Sequence, residues 1–181
     1  MRRVLFLFGE LNDSDVEWLG TASRLTKIAA GEPLIRAGSK PDNIAILLDG
    51  EMSVVLPGPP AVDLARLYAG EIVGELTFLD PRPPLVTVSA VTNCLLLEVA
   101  HATVQARLAR DSAFGVRFYR GLGVFLASRL RETTGRFGVQ ATGVKLSAEE
   151  VEVDELDDEA MERTALAARR FEFLRGKLGV R

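Results

Sequence analysis

The sequence predicts a mainly β domain with flanking helices, and three observations carry that expectation. From Leu25 to Val99, short runs rich in Val, Ile and Leu alternate with glycine- and proline-bearing turns at near-regular spacing. Many short strands punctuated in this way indicate a β-sandwich or small barrel. Ahead of them, Asn12-Asp13-Ser14-Asp15 supplies helix-capping side chains. Behind them, from His101, the apolar spacing lengthens to threes, fours and sevens, the period of helix.

Taken in order, residues 1–23 form an N-terminal helical segment, with Val16, Trp18 and Leu19 following the cap and Gly20 near its end. Residues 24–100 hold the β runs Leu25–Ala29, Pro33–Ala37, Ile44–Leu48, Met52–Leu56, Val62–Tyr68, Leu85–Val91 and Cys94–Val99. Gly31, Gly38, Gly50, Pro57-Gly58-Pro59-Pro60 and Gly70 stand between them as turns. Residues 101–138 read as two helices, Ala102–Ala109 and Ser112–Phe137, the second with Phe114, Phe118, Leu122, Phe125 or Leu126, Leu130 and Phe137 on one period. Gly115, Gly121 and Gly123 weaken that helix by about 1 kcal/mol each relative to Ala. Either another backbone approaches closely there, or these glycines simply pack on the β domain. Residues 139–159 form an acidic linker and residues 160–181 a last helix.

Composition excludes several classes of function. A net charge of −3 argues against a general nucleic-acid binder. Lys and Arg balance Asp and Glu at 15 each over residues 1–143, so the whole excess, 7 against 10, lies in the tail. The acidic first half of that tail is wrong for a phosphate-coated partner, and the chain is not expected to read DNA by itself. Cys94 is the only cysteine, which rules out an intrachain disulfide framework and suits a reducing cytoplasm. The Val4–Phe8 run is too short for a secretion signal core, and no stretch approaches the ~18–20 apolar residues that cross a bilayer. His101 is the sole histidine, so one chain offers no histidine cluster for a metal and no His-based pair for acid–base work. Asp80 opens the turn at Pro81-Arg82 rather than pairing with Glu75 as an acid–base couple. No enzyme, catalytic residue, metal or cofactor is expected.

The chemistry sits in Val73–Ala90, VGELTFLDPRPPLVTVSA. Gly74 lets the backbone come close, and successive free N–H groups at a helix start can face a phosphate. Glu75 can accept a sugar hydroxyl, and an Arg can pair with phosphate through two hydrogen bonds. This segment resembles the phosphate-binding cassette of the cyclic nucleotide-binding domain family, and the resemblance extends over roughly residues 4–137. It implies a β-roll or jelly roll of about eight short strands, with a long C-terminal helix acting as lid and dimer seam. It also implies that Glu75 accepts the ribose 2′-hydroxyl and that the backbone of Leu76 and Thr77 lines the phosphate. The cassette length from Gly74 to Thr87-Val88 fits without a gap. One departure is plain: Pro84 stands where the phosphate-binding Arg belongs, Arg82 is the nearest cation, and Leu85 and Val86 replace small residues.

Two functions follow. The first is a cytoplasmic sensor binding a cyclic purine nucleotide, cAMP or cGMP. Its site comprises Gly74, Glu75, Leu76, Thr77, Arg82, Leu85, Val86 and Thr87, and closure of Ser112–Phe137 signals occupancy. The second is a ligand-free member of the fold, a dimerising scaffold or regulatory module whose pocket is filled by Leu85 and Val86. Glu75 could alternatively cap backbone donors, and Arg82 could be a solvated turn residue. In either case a homodimer is expected. The seven arginines between Arg107 and Arg136 suggest that the acidic run Glu149–Glu159 folds back on that helix. The last helix, with Phe171, Phe173, Leu174 and Leu178, is the expected contact for a protein partner.

Overall fold

β3 (Asn43–Asp49) and β8 (Cys94–Ala100) run side by side through the middle of a sheet that is covered on both faces. That double burial explains their near-continuous apolar sequences, NIAILLD and CLLLEVA, where a half-exposed strand would alternate. The structure, a computed structural model, describes residues 5–142 and 158–180. In chain order the elements are α1 (Leu5–Glu10), α2 (Asp13–Ala22), β1 (Arg24–Ile28), β2 (Pro33–Ile35), β3, β4 (Glu51–Leu56), β5 (Val62–Tyr68), β6 (Ile72–Val73), α3 (Glu75–Leu79), β7 (Thr87–Ala90), β8, α4 (His101–Leu108), α5 (Ser112–Thr142) and α6 (Asp158–Lys177). The strands form two four-stranded antiparallel sheets, ordered β1-β8-β3-β6 and β2-β7-β4-β5. This is the predicted roll of eight short strands.

The two faces of β3 and β8 serve two cores. Ala45, Leu47, Cys94 and Leu96 point between the sheets and meet Ile35, Met52, Leu67, Val73, Val88 and Ala90. Ile44, Ile46, Leu97 and Val99 point outward to the helices, where Phe8, Leu11, Val16 and Leu19 meet Phe114, Phe118, Leu122 and Phe125. Each fully buried Phe or Leu contributes about 1.5–3 kcal/mol, so this second core anchors α5 firmly on the roll. The predicted α5 spacing holds through Phe125, and Leu126 is only partly buried. Leu130 departs from it: it is 68 % exposed, because the helix has by then run past the helical core.

Asn12 caps α2 reciprocally. Its Oδ1 accepts the Asp15 N–H at 2.9 Å, and its own N–H donates to Asp15 Oδ2 at 3.0 Å. Such a box stabilises a helix start by about 1 kcal/mol. Asp15 is also fully buried and receives Arg107 at 2.6 Å and Arg117 at 2.7 Å, tying α2 to α4 and α5. The Arg107 guanidinium packs against both the Trp18 and Phe114 rings, 4.5 and 4.1 Å from their centroids. Of the three glycines in the first half of α5, Gly121 is the one that a neighbouring backbone requires. A Cβ there would lie 3.1 Å from Leu7 Cα and 2.8 Å from its Cδ1, so α1 crosses α5 at close range.

Four of the seven helical arginines pair within the domain: Arg107 and Arg117 with Asp15, Arg120 with Glu10, and Arg129 with Glu71 and Glu75. The expected docking of the acidic run on that helix falls on residues 149–157, which lie outside the described residues. The expectation for the last helix needs correction. The apolar face of α6 is used within the chain, on α1 and α2. Phe171 meets the Phe8 ring edge-on at 5.8 Å, Leu174 lies against Gly20, and Arg170 binds Asp13 at 2.7 Å and the Phe8 carbonyl at 3.0 Å. Phe173, by contrast, faces outward. No helix among the described residues is long and apolar enough to cross a membrane.

Candidate functional site

The segment between β6 and β7 does not form a hairpin. β6 pairs with β3 in one sheet, β7 pairs with β2 and β4 in the other, and α3 with its following loop bridges them. Gly74 makes the bridge possible. Its φ is +89°, and a Cβ would come within 2.3 Å of the Asn43 carbonyl oxygen. A side chain is thus excluded both by conformation and by space. The chain turns sharply there into α3, whose first amides, Glu75, Leu76 and Thr77, lack intrahelical acceptors. The Thr77 hydroxyl donates back to the Gly74 carbonyl at 3.0 Å and locks this turn.

Glu75 is the chemical centre. It is 2 % exposed, and Arg129 of α5 reaches it with Nη1 at 3.4 Å. The same guanidinium reaches Glu71 Oε2 with Nη2 at 3.3 Å and stacks 4.8 Å above the Phe125 ring. Burial pushes the Glu75 carboxyl above its ordinary value. The Glu71 charge adds to that push, while Arg129 and the backbone amide of Glu75 oppose it. Beside this group, the Phe78 ring of α3 packs edge-on against His101 and Phe118, at 5.2 and 5.8 Å. Burial lowers the His101 pKa and keeps the ring neutral, as suits a residue at a strand-to-helix junction.

The other predicted site residues are placed as follows. Gly74, Glu75, Leu76 and Thr77 are brought together on one turn. Leu76 points its side chain to solvent, so any ligand contact it makes is through its backbone. Arg82 is 85 % exposed, and its Nε donates to Asp80 Oδ2 at 2.6 Å across the turn, with a second contact from Nη2. That pairing lowers the Asp80 pKa and raises that of Arg82. The loop is tied to the turn after β2: the Gly38 N–H donates to the Pro84 carbonyl at 2.7 Å, and the Ala37 N–H to Thr87 Oγ1 at 3.2 Å. Leu85 is 79 % exposed and Val86 is half-buried, so Leu85 does not plug the cradle. The expected strand from Leu85 begins instead at Thr87. Between the sheets, a cavity of about 100 Å³ bordered by Ile35, Ala45, Val73 and Glu98 is too small for a nucleotide, since ligand pockets run to about 300–1,000 Å³.

Arg129 and Glu71 were not singled out from the sequence. Arg129 is one of seven arginines on a helical period, and nothing local marks the one whose turn faces the cradle. Glu71 looks like a turn residue after Gly70. Among the described residues, no group of His, Cys, Asp and Glu is arranged to hold a metal.

A jelly roll carrying a Gly-Glu turn beneath a long helix defines a class of small-ligand regulatory domain, and the comparisons agree. Residues 25–111 match the family model described as the cyclic nucleotide-binding domain, and over those residues the chain is similar to that family. A cyclic nucleotide-gated potassium channel of Mesorhizobium japonicum is 29 % identical over 99 residues, 55 % of this chain and 26 % of the channel. The chain thus spans about a quarter of the length of the curated relative it matches. A cyclic nucleotide-binding domain from Methylobacillus flagellatus superposes with a TM-score of 0.68 at 20 % identity, covering 74 % of this chain and 80 % of that one. The regulatory domain of Toxoplasma gondii protein kinase A, solved with cAMP, gives a TM-score of 0.53 at 30 % identity, over 58 % of this chain and 42 % of that one.

Proposed function

We propose that the protein is a cytoplasmic regulatory sensor that binds a cyclic purine nucleotide, cAMP or cGMP, in the cradle and reports occupancy through α5. The observation that carries this reading is the buried carboxylate of Glu75 in the first turn of the Gly74-led helix, directly beneath α5. The ribose would donate to Glu75. The phosphate would meet the amides of Leu76, Thr77, Leu85 and Val86, near Thr87, with Arg82 released from Asp80 as the cation. The similarity to a cyclic nucleotide-gated potassium channel and to a protein kinase A regulatory domain solved with cAMP supports a ligand of this class. Calorimetry with cAMP and cGMP up to near-millimolar concentration tests it. Heat of binding is expected, and Glu75→Ala should weaken it about ten- to a hundredfold, since one hydrogen bond to a charged group, worth about 1.5–3 kcal/mol, is lost. Absence of heat with both nucleotides, from wild type and from a folded Arg129→Gln variant that uncovers Glu75, would remove the sensor reading.

A second reading, a ligand-free scaffold or regulatory module, is favoured by the pairing of Arg82 with Asp80 and by Pro84 at the expected arginine position. In both readings a second copy of the chain is the proposed partner of α5. Val116, Tyr119, Gly123 and Leu130 are exposed, and with half-buried Leu126 they follow three–four spacing, the pattern of a helix-to-helix seam. The outward Phe173 of α6 is the proposed contact for another protein.

A further inference from the structure

We infer that Arg129 is a latch that closes the cradle against its own ligand, so that nucleotide and α5 compete for Glu75. This rests on the sensor reading above and specifies how that site is regulated. A ribose hydroxyl can donate to Glu75 only if the carboxylate is reachable, and at 2 % exposure it is not. Part of what covers it is the Arg129 guanidinium, itself 28 % exposed and held over Phe125. A carboxylate can accept from more than one donor, so the conflict is one of access: Glu75 is 2 % exposed with Arg129 over it, and the guanidinium must swing aside for a sugar hydroxyl to reach the carboxylate.

The second carboxylate explains why such an exchange is affordable. Glu71 is also buried and holds the other arm of the guanidinium, so Arg129 gives up Glu75 without being left as an unpaired buried charge. The position of Arg129 along α5 gives the exchange a consequence. N-terminal to it, Phe114, Phe118, Leu122 and Phe125 clamp the helix to the roll. Beyond it, Leu130, Arg131, Thr133 and Thr134 are all exposed. The pair with Glu75 and Glu71 thus restrains the outer half of the helix where the apolar anchoring stops, and its release frees that half to move.

The test compares wild type, Arg129→Gln and Arg129→Lys by calorimetry with cAMP and cGMP, together with hydrogen exchange of the ligand-free proteins. A latch closed nine-tenths of the time lowers apparent affinity about tenfold, so Arg129→Gln should bind about tenfold more tightly than wild type. Its amides after Phe125 should exchange faster without ligand. Arg129→Lys keeps the charge but not the two-armed grip and should fall between; it decides the matter if Arg129→Gln fails to fold by circular dichroism. Binding by Arg129→Gln alone, with wild type silent, would also support the latch. Wild-type binding with equal or weaker binding by the folded variants would overturn the latch and leave the sensor reading standing. No binding by any folded form would remove the nucleotide site and the latch with it.

Discussion

Asp15 shows how one buried side chain can do two local jobs and one global one. It completes the α2 capping box and neutralises Arg107 and Arg117, which arrive from two other helices. Burial by itself would push its carboxyl up, but the Arg117 hydrogen bond, the Asn12 amide and the charges of Arg117 and Arg107 together outweigh that and leave it below the usual 3.8. A carboxyl lowered in the folded state contributes stability that is present above its unfolded value and is lost as pH falls through the folded value. Asp15→Asn is therefore expected to cost about 3 kcal/mol at neutral pH, the scale for breaking a buried pair. The gap between variant and wild type should narrow as pH falls below about 3.8, read from urea unfolding at a series of pH values. A gap that stays constant into acid would show that the carboxylate charge is not what holds these helices. The capping role of Asp15 was visible four residues into the helix signal; its two arginine partners, 92 and 102 residues away, were not.

At the scale of elements, α5 illustrates how glycines of one helix differ in meaning. Gly121 is pressed against Leu7 of α1, whereas a Cβ at Gly135 would meet nothing within 4 Å. Gly121→Ala should destabilise by about 1–2 kcal/mol, because the strain of moving α1 exceeds the gain in helix propensity. Gly135→Ala should stabilise by about 1 kcal/mol, the propensity gain alone. Urea midpoints of the two variants should move in opposite directions; a shift of both toward stability would mean that α1 yields to α5 without cost. The helix itself was legible from the spacing of Phe114, Phe118, Leu122 and Phe125. Strand β6 was not, since two residues carry no period, and it exists because Ile72 and Val73 pair with Ile46 and Ala45 across the sheet.

For the molecule as a whole, the apolar seam of α5 predicts association. Wild type is expected to sediment as a dimer at tens of micromolar, and Val116→Arg combined with Leu130→Arg as a folded monomer, because two unpaired charges would face each other at each crossing. A wild type that sediments as a monomer would remove the dimer. Arg129 is the clearest case of what a linear reading misses: its ion pairs with Glu71 and Glu75 close over 58 and 54 residues, so they depend on where α5 comes to rest. The same holds for α6, whose apolar face looked available to a partner until α1 was seen to cover it. The chain by itself determined the roll, its glycine turns, the helix periods and the Gly74-Glu75 turn, because strand alternation, helix period and positive φ are properties of neighbouring residues. Only the tertiary structure decided which arginine meets Glu75, which glycine receives another helix, and where the tail helix docks, because those contacts are set by the packing of whole elements against one another.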